Sequence, residues 1–75
     1  MAFIDDDQVF DYIVTYKRRH QGDSPSYRQI SANFGGISTA TVANSIDRLV
    51  LRGKIRHDYK SREIRVVGAR WTFEQ

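Results

Sequence analysis

The side chains of this chain that are best suited to molecular recognition lie between Ser38 and Gly53. Ser38 is a typical helix N-cap and Gly53 is a typical stop, so the stretch is predicted to be one helix. One side of this helix carries small or hydrogen-bonding residues and then arginines, namely Ala40, Thr41, Asn44, Asp47, Arg48 and Arg52. Short side chains allow close approach to another surface, and hydroxyl and amide groups can hydrogen-bond to it. A helix needs these properties to read base edges in the major groove of DNA.

The opposite side of the same helix is apolar. Its hydrophobic residues recur at the i, i+4, i+7 and i+8 spacing of a buried stripe, as Val42, Ile46, Leu49 and Val50. An ordinary amphipathic helix with a solvated outer face has the same pattern. The flanking segments therefore have to distinguish the two interpretations.

A first helix is predicted over residues of about 5–20. Asp5 or Asp6 caps it, and the acidic first turn and basic last turn both match the helix dipole. Its inward face is predicted from the helical period to contain Val9, Phe10, Ile13 and Val14, extended by Tyr16 or Lys17. The basic cluster at residues 17–20 could touch phosphate, but we expect it to be a solvated helix end.

A short second helix is predicted over residues of about 27–34. Ser26 followed three residues later by Gln29 is a capping box, which marks its start. Gly35 and Gly36 then break it before the third helix, at about 39–52. Two helices joined by a short glycine turn form a helix-turn-helix.

After the third helix the hydrophobic period changes from 3.6 to 2, which indicates strands. Over residues 54–67, approximately, apolar or aromatic residues alternate with charged ones on both sides of a polar tip at Lys60, Ser61 and Arg62. This pattern predicts a β-hairpin, which is called a wing when it follows a helix-turn-helix. The predicted fold class is therefore α+β, a three-helix winged helix-turn-helix with a C-terminal two-stranded hairpin. Its core is predicted to contain Phe10, Ile13, Ile30, Phe34, Val42, Ile46, Leu49, Ile55 and Ile64.

Length and composition limit what else the chain could be. Its 75 residues are predicted to form a single domain, 1–75, with a thin core. Trp71 and Phe73 in the aromatic tail, 68–75, are expected either to complete that core or to form a dimer contact. Cysteine is absent from the sequence, and two histidines are too few to suggest a metal site. No apolar run approaches the roughly 18 residues of a membrane span, and the first residues do not resemble a signal peptide. We expect a location in the cytoplasm, at the nucleoid.

The net charge of +3 conceals an asymmetry. Residues 1–16 contain four acids and no base, a net −4, whereas residues 17–75 contain twelve bases and five acids, a net +7. A basic remainder of this kind is typical of a protein that binds a polyanion. Small soluble domains also carry a few net charges for solubility, so charge alone does not decide the function.

Several strings of residues resemble the DNA-binding domain of the LexA repressor family, a winged helix-turn-helix. Val9–Ile13 resembles the Val-Phe-Asp-Leu-Ile of that family's first helix. The spacing Gly-x-x-Pro-Ser-x-x-x-Ile over Gly22–Ile30 resembles the family's Gly-x-x-Pro-Thr-x-x-x-Ile before its second helix. Leu49–Ile55 resembles the end of its third helix and the start of its wing. The resemblance runs from about Val9 to Val67.

The resemblance implies that the third helix enters the major groove and that the wing contacts the DNA backbone. By position, it implies base contacts at Ser38, Ala40, Thr41, Ala43 and Asn44. The chain departs from the family at Ala40, where the family has Asn, and at Ala43 and Asn44, where it has acids. These positions set base preference, so we expect a different operator. The resemblance covers no protease domain and therefore implies neither self-cleavage nor regulation by DNA damage.

We therefore predict sequence-specific binding of double-stranded DNA by a repressor-like transcriptional regulator that acts by occupying its site. The predicted base-reading residues are Ser38, Thr39, Ala40, Thr41, Ala43 and Asn44. The predicted phosphate contacts are Arg28, Arg48, Lys60, Ser61 and Arg62. A single module buries only about 600–1,000 Å² of protein surface on DNA, so we expect two copies, as a homodimer, on a two-part site.

Two other classes of function deserve comparison. A winged helix can also act as a protein–protein interaction or assembly module without binding DNA, and Asp47 together with the acidic first helix would suit that role. Enzymatic activity is not expected, because no motif brings a nucleophile, a base and an orienting group together. We expect no cofactor, no small-molecule effector and no membrane partner.

Overall fold

The computed structural model describes residues 4–68, so Trp71 and Phe73 of the tail lie outside the described residues. Three helices precede a two-stranded antiparallel hairpin: α1 spans Asp6–Arg19, α2 Tyr27–Asn33, α3 Thr39–Leu51, β1 Ile55–Asp58 and β2 Glu63–Val66. This order confirms the predicted α+β fold class and is that of a winged helix-turn-helix. None of the helices within residues 4–68 has both the length and the apolarity to cross a membrane.

The two helices of the helix-turn-helix each begin at a serine cap. The Ser26 hydroxyl accepts a hydrogen bond from the Gln29 N–H at 3.1 Å, and the Gln29 side chain accepts one from the Ser26 N–H at 2.8 Å, which is the predicted capping box. The Ser38 hydroxyl accepts from the Thr41 N–H at 3.1 Å. Both caps satisfy N–H groups that have no partner inside their helix.

The turn between α2 and α3 depends on two glycines with left-handed backbone. Gly35 and Gly36 have φ values of 82° and 79°, a region that side chains with a Cβ atom rarely adopt. The Gly36 N–H donates to the Ser31 carbonyl at 2.8 Å, and the Ser31 hydroxyl donates to the Ile37 carbonyl. These bonds fix the direction in which α3 leaves the turn.

One hydrophobic core joins the helices to the hairpin. Its fully buried members are Val9, Ile13, Ile30, Val42, Ile46, Leu49, Ile55 and Ile64. Seven of the nine predicted core residues are among them, and the other two, Phe10 and Phe34, are half-buried and pack against the cluster. Because α3 contacts α1, α2 and β1, the core determines which of its faces points outward.

Lys17 extends the inward face of α1, which confirms one of the two predicted alternatives, whereas the expectation of a solvated helix end is wrong for this residue and holds for residues 18–20. Only 2% of this residue is exposed, and its ammonium donates to the Gly22 carbonyl at 2.8 Å and to the Ser24 hydroxyl at 3.2 Å. Residue 17 follows two buried residues of α1 at i+4 spacing, so it lies on the inward face, whereas residues 18–20 are exposed. Burial lowers the pKa of Lys17.

Ser24 connects this buried lysine to the hairpin. Its hydroxyl accepts from the Ile64 N–H at 2.8 Å and donates to the Ile64 carbonyl at 3.1 Å, on the open side of β2. With the bond from Lys17, its one donor and two acceptor positions are all used. The wing is thereby attached to the loop between α1 and α2.

We predict that Ser24→Ala lowers the free energy of unfolding by about 1–3 kcal/mol, because the Ile64 N–H and carbonyl lose their bonds to Ser24 and the Lys17 ammonium keeps only its bond to Gly22. Urea unfolding measures this loss. Thr15→Ala, at an exposed position of α1, is the matched control and should change stability by no more than about 0.5 kcal/mol. The double variant with Ser24→Ala and Lys17→Met should lose less free energy of unfolding than the two single variants lose together, because the two residues share a hydrogen bond. Equal effects of Ser24→Ala and the control would contradict the role of Ser24.

Candidate nucleic-acid interface

The outward face of α3 carries a row of short and polar side chains, here called the reading stripe and defined as Ala40, Ala43 and Asn44. Their i, i+3, i+4 spacing places them side by side on the helix surface. Ala40 and Asn44 are exposed and Ala43 is half-buried. The other side of α3 is buried in the core, so packing of the core holds the stripe outward.

The hydroxyl groups at the start of α3 differ in what they contact. The Ser38 hydroxyl caps the helix and lies 2.9 Å from the Thr41 hydroxyl, and Thr41 is half-buried. Thr39 is exposed and faces the wing. The base-reading roles of Ser38 and Thr41 stay predictions, and these two hydroxyls already share a hydrogen bond within the helix cap.

An open groove of about 850 Å³ separates the helix-turn-helix from the wing, and we call it the wing groove. The start of α2, the start of α3 and both strands of the hairpin contribute to its walls. Arg28, Thr39, Ser61 and Arg62 all line it, so the structure brings four of the predicted site residues together. Lys60 is exposed at the wing tip, outside this groove.

The wing tip has a defined shape because Asp58 organises its turn. The Asp58 carboxylate accepts from the backbone N–H of Lys60 at 2.9 Å and of Ser61 at 3.4 Å. These bonds lower the pKa of Asp58. Arg62 has a φ of 62°, a left-handed conformation that non-glycine residues seldom adopt. The two cations of the tip therefore project from a folded turn, as the predicted hairpin requires, whereas the sequence pattern did not indicate the hydrogen bonds of Asp58 or the left-handed backbone of Arg62.

Three aromatic rings form one wall of the wing groove. The ring of His57 lies 5.8 Å from that of Tyr27 and 4.3 Å from that of Tyr59, and the Tyr27 hydroxyl is 3.4 Å from His57 Nδ1. The Tyr59 hydroxyl then donates to Asp47 of α3 at 3.1 Å. Burial lowers the pKa of His57. Period-2 alternation along β1 could have indicated that residues 57 and 59 share a face, but not that they contact α2 and α3.

Arg48 is engaged within the fold. Its guanidinium donates to both carboxylate oxygens of Asp6, at 2.8 and 2.9 Å, and the Ser45 hydroxyl donates to the same carboxylate at 2.7 Å. Hydrogen bonds from Arg48 and then Ser45 lower the pKa of Asp6 against the opposing effect of its burial. The structure does not bring Arg48 to the wing groove, and its predicted phosphate contact stays a prediction. No local pattern indicates a pair 42 residues apart in the chain.

The chemistry that these side chains offer is hydrogen bonding and charge pairing. Among residues 4–68, no three His, Asp or Glu side chains are grouped so that they could hold a metal ion. Two carboxylates, Asp23 and Glu63, line the wing groove. Outside its lining, Asp47 accepts a hydrogen bond from Tyr59, and Asp58 accepts hydrogen bonds from the wing turn. This arrangement suits a binding surface.

We predict that Asp6→Asn lowers the free energy of unfolding by about 1 kcal/mol at pH 7. The folded pKa of Asp6 lies below its ordinary value of 3.8, so its contribution is complete above about pH 5. That contribution is lost as the pH falls through 4 towards the folded pKa. Urea unfolding should therefore show a smaller difference between variant and wild type at pH 3. Asp11→Asn, at an exposed position of α1, is the control. A difference that is the same at both pH values would contradict this assignment.

Comparison of the chain with models of protein families, with curated proteins and with solved structures gives no match in any of the three.

Proposed function

We propose that this chain binds double-stranded DNA sequence-specifically, with α3 in the major groove and the wing tip against the sugar–phosphate backbone. The observation that carries the proposal is the reading stripe of Ala40, Ala43 and Asn44 on the outer face of α3. The first residue of that helix, Thr39, lines a groove together with Arg28 and Arg62. A helix is about 10–12 Å across and the major groove is about 12 Å wide. Short side chains on the stripe allow the helix to approach the bases.

Two members of the reading stripe and the neighbouring Thr39 suit different features of the base edges. The Asn44 amide offers a donor and an acceptor together, which match the N7 and N6 groups of adenine. The methyl group of Ala40 suits the methyl group of thymine. Thr39, at the rim of the wing groove, has a hydroxyl that can serve as donor or acceptor.

Exposed cations lie at the wing groove and at the wing tip. Arg28 belongs to the first turn of α2, while Lys60 and Arg62 belong to the wing tip. In this proposal they neutralise phosphates on the two sides of the groove that α3 enters, and they set the register of the protein without reading sequence. The net +7 of residues 17–75 adds a general attraction to DNA.

We propose that the bound chain acts as a repressor-like transcriptional regulator, by occupying a site that a polymerase needs. The resemblance of its motif strings to the LexA repressor family supports this role. The small surface of a single module supports binding as a homodimer to a two-part site. This role would place the chain in the cytoplasm, at the nucleoid.

Binding to duplex DNA at increasing salt concentration tests the proposal. We expect log Kd to rise linearly with log salt concentration, with a slope of about 0.9 for each phosphate contact, and we expect tighter binding to a selected site than to random DNA. A protein–protein module would bind no duplex even at low salt.

We predict that replacing both Lys60 and Arg62 by Ala weakens binding to all DNA sequences alike and reduces the salt slope by about two, because two phosphate contacts are lost. Replacing Arg18 and Arg19 by Ala removes the same charge from the exposed end of α1 and is the matched control. The control should leave the slope nearly unchanged. If both double variants change the slope equally, the wing tip does not hold phosphates.

We predict that Asn44→Ala weakens the free energy of binding to the preferred site by about 1–3 kcal/mol, because that site presents the adenine. Binding to random DNA should change little. The melting temperature should hardly change, since Asn44 is exposed and Asn is a poor helix former. Asn33→Ala, at an exposed position of α2, is the control and should leave binding unchanged. Equal losses on both DNAs would show a backbone contact, and no loss on either would show that Asn44 faces solvent.

A further inference from the structure

Asp47 continues the reading stripe towards the end of α3. At about 100° per residue it lies only about 20° around the helix from Ala40 and about 60° from Asn44. It is exposed, as both of those residues are. Along the axis it lies about 4.5 Å beyond Asn44, which is close to the roughly 3.4 Å rise per base of one DNA strand. A residue at this place would meet a base pair one or two steps from the one that Asn44 reads.

The Asp47 carboxylate is held in place by the wing. The Tyr59 hydroxyl donates to Asp47 Oδ1 at 3.1 Å, and the Tyr59 ring packs against His57 at 4.3 Å. Oδ2 accepts no hydrogen bond from the residues that the structure describes. An ionised carboxylate accepts several hydrogen bonds, so Asp47 presents an oriented and unused acceptor on the face that carries the stripe.

DNA offers few partners to such a carboxylate. Phosphates repel it, and so do the acceptor edges of guanine and of the thymine carbonyl. Adenine presents an amino donor beside the N7 acceptor, whereas cytosine presents its N4 amino group alone. We infer that Asp47 is a further base-reading residue that accepts a hydrogen bond from the N4 amino group of cytosine, with Tyr59 as its positioning residue. This inference rests on the proposed DNA binding and specifies part of the sequence that is bound.

The test is selection of binding sites from random duplexes by the wild type, Asp47→Ala and Asp47→Asn. The wild type should select a cytosine within two base pairs of the adenine that depends on Asn44, and replacing this cytosine should weaken binding by about tenfold. Asp47→Ala should lose the preference at that position. Asp47→Asn should shift it towards adenine, since an amide matches the donor and acceptor of that base.

A modified base provides an independent measurement that needs no protein variant. In a base pair, the methyl group of N4-methylcytosine takes the place of the amino hydrogen that faces the major groove. Replacing the selected cytosine by N4-methylcytosine should weaken binding of the wild type by about tenfold, as a mismatched base pair would. The same replacement should leave binding of Asp47→Ala unchanged.

Two further variants separate base reading from charge and from wing geometry. Asp11→Ala removes the same charge from an exposed position of α1, so it should strengthen binding to all sequences slightly and preserve the cytosine preference. Tyr59→Phe keeps the aromatic ring and removes the hydroxyl, so it should reduce the cytosine preference without changing binding to random DNA. Melting temperatures check that each variant is folded.

Three outcomes would overturn the inference and leave DNA binding intact. They are a selected site without such a cytosine, a preference that persists in Asp47→Ala, and an effect of Asp47→Ala on all sequences that equals the effect of Asp11→Ala. If the wild type binds no duplex at low salt, the proposed function fails and the inference fails with it.

Discussion

The buried ammonium of Lys17 is the constraint on which the position of the wing depends. A buried charge is tolerated only where hydrogen bonds replace its water, and here Gly22 and Ser24 supply them. Ser24 also bonds both backbone groups of Ile64, so the loop after α1 and strand β2 have to stay together. These bonds hold β2 against the loop that, together with Glu63 of β2, lines the wing groove.

A second connection holds the hairpin at its other strand. Tyr27, His57 and Tyr59 pack in series from α2 across β1, and Tyr59 bonds Asp47 on α3. The Tyr27 hydroxyl lies 3.4 Å from His57 Nδ1, and burial lowers the pKa of His57. β2 is thus connected to the α1–α2 loop and β1 to the helix-turn-helix. The wing and α3 consequently present a single surface with a fixed relative orientation.

The basic residues of the chain divide into structural and exposed groups. Lys17 bonds the loop after α1, and Arg48 pairs with Asp6 to join α1 to α3. Arg28 and Arg62 line the wing groove. The net charge does not distinguish these four residues. A cation that already pairs with a carboxylate gains less free energy from contact with a phosphate than an unpaired one does. The proposed contacts with DNA therefore rest on position in the fold, and the charge total is only general support.

The helices, the hairpin and most of the core could be predicted from the amino-acid sequence, because caps and hydrophobic periods act over a few residues. The capping box at Ser26 and the change of period after α3 are signals of this local kind. The sequence also indicated the outward stripe of α3, since the buried side of a helix fixes the exposed side. Local patterns left three contacts open: the hydrogen-bond partners of the buried Lys17, the pairing of Arg48 with Asp6, and the hydrogen bond from Tyr59 to Asp47. Those contacts depend on the angles at which α1 and the hairpin pack on α3, and no local pattern encodes these angles.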